Sequence, residues 1–154
     1  YLLRRLKTEL DRSAHSEADL SMAVLGFKQT ARYEDGYLRA VGFVRDFLGF
    51  PDLCFEYGEN SVVALFPNTD LREALALAER LRYSLRQELL SNIDSSGITV
   101  TIGLSARNGR LLEPDRLLME AKAAVDRAAS EPGGIVGFHA DSQKYRRYLA
   151  EHRV

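Results

Sequence analysis

The stretch Glu56-Tyr57-Gly58-Glu59-Asn60-Ser61-Val62-Val63-Ala64-Leu65-Phe66-Pro67-Asn68-Thr69 decides how this chain is read. It reads as two short strands around a turn, with Gly58, Glu59, Asn60, Ser61 and Val62 at and just after the reversal. A turn mounted between strands is a place where a fold can hold reactive side chains. Here it offers an amide at Asn60 and a hydroxyl at Ser61 beside the carboxylate of Glu59.

Composition frames that hairpin. A chain of 154 residues, 45% hydrophobic and 28% charged, matches one domain with enough apolar content for a core. With 21 Lys and Arg against 22 Asp and Glu the formal charge is −1, so no excess of either sign points to nucleic acid or an anionic membrane. Cys54 is the single cysteine and lies in the apolar run Leu53-Cys54-Phe55, which excludes an intrachain disulfide and fits a reducing, cytoplasmic setting with a buried, inert thiol. No apolar run approaches the roughly 20 residues that span a bilayer, and no signal-peptide pattern appears, so no membrane contact is expected of this stretch. The chain opens at Tyr1 inside a helical pattern rather than at Met, and is expected to be a piece of a longer protein, one that is itself open to being membrane-anchored.

On either side of the hairpin, hydrophobic spacing alternates helices and strands. Leu2, Leu3, Leu6 and Leu10 mark an opening amphipathic helix, and Ser13 to Glu17 read as a polar break. Leu20 to Phe27 is too short and too apolar for a surface helix and predicts a strand buried on both faces. A second helix is predicted from about Tyr33 to Leu48, carrying Leu38, Val41, Phe43, Val44 and Phe47 and stopped by Gly49 and Pro51. After the hairpin, Asp70 with Glu73 forms a near capping box that opens a long helix with Leu71, Leu75, Ala78, Leu81, Leu85 and Leu89 on one face. The alternating run from Ile98 to Leu104 predicts a strand, with Asn108-Gly109 turning beyond it. Pro114 begins a further helix to about Ser130, Pro132-Gly133-Gly134 ends it, and Ile135 to His139 is a short closing strand. Residues 140–154, with Tyr145, Tyr148 and Leu149 on one helical face, read either as a packed C-terminal helix or as a connector to a following domain.

That order fits an α/β (α+β) sandwich: a central, mostly antiparallel sheet flanked by helices, with the hairpin as its signature. The order and spacing of the pieces over residues 1–139 resemble the GGDEF family of diguanylate cyclases. In that family a Gly-Gly-Asp/Glu-Glu-Phe turn lies between strands and is followed by a Leu-Leu-Pro-x-Thr-like stretch. The strand at Leu20 to Lys28, the Ala74 to Arg82 helix, the strand Thr99-Val100-Thr101-Ile102-Gly103-Leu104 and the helix near Ala121 fall in the same order as the family's elements.

The resemblance implies a test of chemistry. Active members condense two GTP molecules into cyclic di-GMP, one per domain of a facing dimer, by phosphoryl transfer that needs divalent metal. Magnesium is held through carboxylates and phosphate oxygens. Carried over one position at a time, the metal-binding aspartate of the first strand falls at Ala23, whose methyl coordinates nothing. The signature's acidic third position falls at Asn60, which has no charge and cannot act as a base near neutral pH. Ser61 replaces the next acid, Val62 the usual aromatic, and Glu59 the second glycine; Glu59 reads as a solvated turn residue or as a displaced metal ligand.

The nucleotide positions are altered too. The guanine-binding Asn falls at Ala31, the Asp of the second helix falls near Arg39 or Ala40, and the late-helix Lys that contacts phosphate falls at Ala129, with Lys122 where the family has Asp. Lys28 survives as a candidate phosphate contact or a plain surface cation. The Arg-x-x-Asp site where product docks reads Gly49-Phe50-Pro51-Asp52 and keeps only the acid, while Arg45 nearby reads as exposed helix surface, so cyclic di-GMP is not expected there.

Other chemistries find no footing, since His15, His139 and His152 are scattered and no Walker loop, nucleophile elbow or zinc motif is present. Tyr145-Arg146-Arg147-Tyr148 is too short a patch to claim nucleic acid. The expectation is a non-enzymatic GGDEF-like module of a cyclic di-GMP-type signalling protein, without cofactor or metal, that regulates, dimerises or binds protein. The alternatives are a domain that binds GTP without cyclising it and controls an attached effector, and a cyclase with substitute metal ligands.

Overall fold

The computed structural model describes residues 1–29, 34–49, 51–58, 60–90 and 98–138. Among the described residues four helices, α1 (Leu2–Ser16), α2 (Glu34–Leu48), α3 (Leu71–Leu90) and α4 (Pro114–Ala128), are interspersed with strands β1 (Leu20–Gln29), β2 (Cys54–Glu56), β3 (Ser61–Pro67), β4 (Ile98–Ala106) and β5 (Ile135–Gly137). The strands form one sheet in the order β2-β3-β1-β4-β5. Only the β4–β5 pair is parallel, so the sheet is mostly antiparallel, in keeping with the sequence.

Strand β1 sits at the centre because both of its faces are apolar. Ala23, Leu25 and Phe27 join the core beneath α2 and α3, together with Val44, Ala78, Leu81 and Leu85. The alternate residues Leu20, Met22 and Val24 join a second core beneath α1 and α4, with Leu6, Leu10, Leu117 and Ala121. A one-residue slip would exchange the two sets, which pins the register.

Local signals work as the residue types require. Asp70 and Glu73 form a reciprocal box at the start of α3, the Glu73 amide donating to Asp70 Oδ1 at 2.7 Å and the Asp70 amide to Glu73 Oε1 at 3.2 Å. Pro114 opens α4 at its first turn, where its missing N–H is no loss. Asn108 and Gly109 turn the chain with φ of 50° and 73°. Helix α4 seats directly on β4: a Cβ at Gly103 would lie 2.1 Å from the Val125 backbone nitrogen, so only glycine admits this approach.

Three expectations need correction. Ser13 to Glu17 do not break α1, which runs on to Ser16 and ends with Glu17 in a left-handed cap, φ 56°. Ser13 is buried because Arg107, 94 residues away, donates to its hydroxyl at 2.8 Å. Leu38 is 62% exposed and adds nothing to the core that Ala40, Val41 and Val44 build. The first strand of the hairpin is Cys54–Glu56, so the reversal occupies residues 57–60. Residues 139–154, including the predicted terminal helix, lie outside the described residues.

Candidate functional site

The hairpin turn docks on the end of β1 through backbone bonds. The Phe27 amide donates to the Asn60 carbonyl at 2.9 Å, and the Tyr57 amide closes the hairpin on the Ser61 carbonyl at 2.9 Å. Gly58 and Asn60 take left-handed backbone, φ 59° and 61°, which glycine and asparagine tolerate best. Both are exposed, Ser61 is half-buried opposite Gly26, and Val62 is buried beneath α2 and α3. Glu59 lies outside the described residues.

Ala23 is elsewhere in character. It is 1% exposed and stands between Ala64 on β3 and Leu104 on β4, with Cys54 the next partner across the sheet. Along β1 it is set back from Gly26, which faces the turn, by about 10 Å of strand. A methyl there is part of the core. Ala23, Asn60 and Ser61 supply no carboxylate, the anionic oxygen that a hard divalent cation asks for. Among the described residues no three His, Cys, Asp or Glu side chains converge as a metal cluster.

Lys28 is exposed at the end of β1, and its carbonyl accepts from the Thr99 hydroxyl at 3.4 Å. Helix α4 runs over the same face, with Val125 near Gly26, and ends at Ala129, which is exposed and helical. The end of a helix presents carbonyls and partial negative charge; Arg127 in the last turn of α4 is the cation there, and Ala129 adds none. Ala31 lies outside the described residues. Arg39 is exposed and Ala40 fully buried, so neither register puts an acid on α2 at this point. Asp52 is exposed in the short 3₁₀ turn Pro51–Leu53.

The structure brings to the turn contacts that the sequence does not show. Lys122 Nζ sits 5.3 Å from the centre of the Tyr57 ring and donates to its hydroxyl at 3.4 Å, capping the α4 side of the turn. On the α2 side, Tyr37 packs edge-on against Phe27 with centroids 5.7 Å apart. Burial raises the pKa of the Tyr37 phenol and the Glu56 carboxylate raises it further, while the Arg45 guanidinium pulls it down. Burial likewise raises the Cys54 thiol, again against Arg45. Arg45 is therefore not plain helix surface: it is half-buried, and its Nε has no hydrogen-bond partner among the described residues. Tyr37 and Arg45 lie eight positions, about two helical turns, apart on α2, and only the fold brings Cys54 and Glu56 to them.

Comparison with known proteins bears on this arrangement. No family model matches the chain. The response regulator PleD of Caulobacter vibrioides is 33% identical over 90 residues, which cover 56% of this chain and 20% of PleD, so the match spans about a fifth of that relative. The active GGEEF domain of a diguanylate cyclase from Vibrio cholerae superposes with a TM-score of 0.72 at 14% identity, over 91% of this chain and 96% of that one. The diguanylate cyclase SiaD of Pseudomonas aeruginosa, solved in complex with its activator SiaC, gives 0.67 at 23% identity, over 88% and 56% of the two chains. The chain has the fold of GGDEF diguanylate cyclase domains.

Proposed function

We propose that this chain, a GGDEF-fold domain, is a catalytically silent member of a bacterial cyclic di-GMP-type signalling protein and serves as a regulatory, dimerisation or protein-interaction module. One observation carries the reading: at the two positions where the cyclase reaction needs anionic metal ligands, the side chains are the enclosed methyl of Ala23 and the neutral amide of Asn60. The Vibrio cholerae domain is described as active and carries a GGEEF signature, whereas this chain reads Gly58-Glu59-Asn60-Ser61-Val62. The likeness to part of a response regulator supports a place within a larger signalling protein, and the SiaD–SiaC complex supports a protein partner. In this reading residues 1–139 are the domain, residues 140–154 are a C-terminal helix or a connector to a following domain, and it works in the cytoplasm. Purified chain incubated with GTP and magnesium or manganese yields no cyclic dinucleotide; appreciable turnover overturns the reading.

A second reading, GTP binding without cyclisation, is favoured by Lys28, exposed beside the strand end where the Asn60 carbonyl docks. Calorimetry separates the two. Saturable GTP binding that weakens in Lys28→Ala supports the second, and no heat at millimolar nucleotide removes it.

A further inference from the structure

A cleft of about 400 Å³ opens between the C-terminal half of α3 and residues 133–135, away from the signature turn. Glu79, Arg82, Tyr83, Arg86, Leu90 and Gly133 line it. Arg82 is held in place rather than waving in solvent. Its Nε donates to the Val100 carbonyl at 3.3 Å, and its guanidinium lies so close to Gly134 that a Cβ there would fall 2.8 Å from Nη2. Gly134 has φ of 66° and its carbonyl is tied to the Ile102 amide at 2.8 Å, so the backbone under the arginine is fixed by the sheet.

Arg86 stands one helical turn further along α3 and brings a second guanidinium to the same cleft. Burial lowers the pKa of Arg82, and the charge of Arg86 lowers it further, so the two cations act on each other at the cleft. Among the described residues no ion pair joins Glu79 to either arginine. Two guanidinium forks, one of them immobilised, match a dianion with several oxygens better than a single carboxylate. Tyr83 and Leu90 are 69% and 61% exposed at the rim, an apolar and aromatic surface beside the charges. Glu79 opposes any longer chain of phosphates by like charge.

We propose that this cleft binds a small phosphate monoester, Arg82 and Arg86 gripping the phosphoryl oxygens while Tyr83 and Leu90 flank the ring of the esterified group. Isothermal titration of the 154-residue chain at low salt with inorganic phosphate, AMP and ATP tests it. AMP binds saturably and more tightly than inorganic phosphate, and ATP binds no more tightly than AMP. Arg86→Ala, at an exposed position that leaves the fold intact, weakens AMP and phosphate by about tenfold or more. Tyr83→Ala weakens AMP alone. Arg80→Ala, on the same helix but outside the cleft, changes neither. No saturable binding of AMP, an unchanged affinity in Arg86→Ala, or an equal loss in Arg80→Ala overturns the proposal, the last because it would reduce the effect to diffuse charge. Since the cleft shares no residue with the signature turn, loss of this site leaves the functional reading standing.

Discussion

The two ends of β1 are built from opposite materials. At its start, Arg107 is 7% exposed and donates to Ser13 Oγ at 2.8 Å and to the Ala18 carbonyl at 3.1 Å, while its amide donates to the Leu20 carbonyl at 2.8 Å. Beside it Arg110 grips the buried Glu120 with two bonds of 2.8 and 2.7 Å. Glu9 is buried on α1 between Arg5 and Arg12 in the same way. At its far end, the signature turn meets Phe27 through backbone bonds, and the described turn side chains Asn60 and Ser61 are an amide and a hydroxyl. Charge is thus kept where another part of the chain neutralises it. At the turn, the described side chains Asn60 and Ser61 bring no charge of their own.

The largest expected break in this contrast is Glu120→Ala, which strands Arg110 beside its carbonyl partners and costs about 3 kcal/mol in urea unfolding. Replacing the pair together, with Glu120→Leu and Arg110→Met, costs much less; equal losses would mean that the ion pair is not the buried unit argued here. Gly103→Ala comes next, at about 2 kcal/mol, because the new methyl meets the α4 backbone rather than a yielding side chain. Hydrogen exchange of α4 amides reports whether the helix lifts. At the turn, Asn60→Ala costs about 1 kcal/mol through its positive φ, whereas Asn60→Gly stays within about 0.5 kcal/mol. A loss in Asn60→Gly as large as that of Glu120→Ala would show that the Asn60 side chain holds structure.

The smallest effect is a pH slope. Burial raises the Cys54 pKa in the folded chain, so above the pH at which a free cysteine ionises the unfolded chain gives up a proton that the folded chain retains. Stability therefore falls as pH rises through the interval between the unfolded and folded values. Cys54→Ala flattens that part of the curve; an unchanged slope would assign it to Tyr37, whose phenol is raised in the same direction.

What the sequence made legible was set by neighbours in the chain. The Asp70–Glu73 box, the Pro114 start, the Asn108-Gly109 turn and the two-sided apolar strand at Leu20 to Phe27 each rest on residues a few positions apart, and each is present. Ser13 was misread because its partner is Arg107, and no local pattern distinguishes a serine that ends a helix from one buried by a distant guanidinium. Leu38, read among the apolar residues of the second helix, is exposed. At the turn, the neutral identities of Ala23 and Asn60 were plain in the sequence. Ala23's seat between Ala64 and Leu104, and Lys122 over the Tyr57 ring, needed the sheet register and the α4 crossing. The Arg82 cleft gave no signal, since it depends on a glycine 52 positions later in the chain whose carbonyl pairs with β4.

The bare backbone of Gly103 has one further consequence. With no side chain between strand and helix, the height of α4 above the sheet is fixed by van der Waals radii alone, and that height sets where the Lys122 ammonium rests over the phenol ring of Tyr57. A single added carbon beneath the helix would raise the cation off its aromatic seat without altering either of the two residues that meet there.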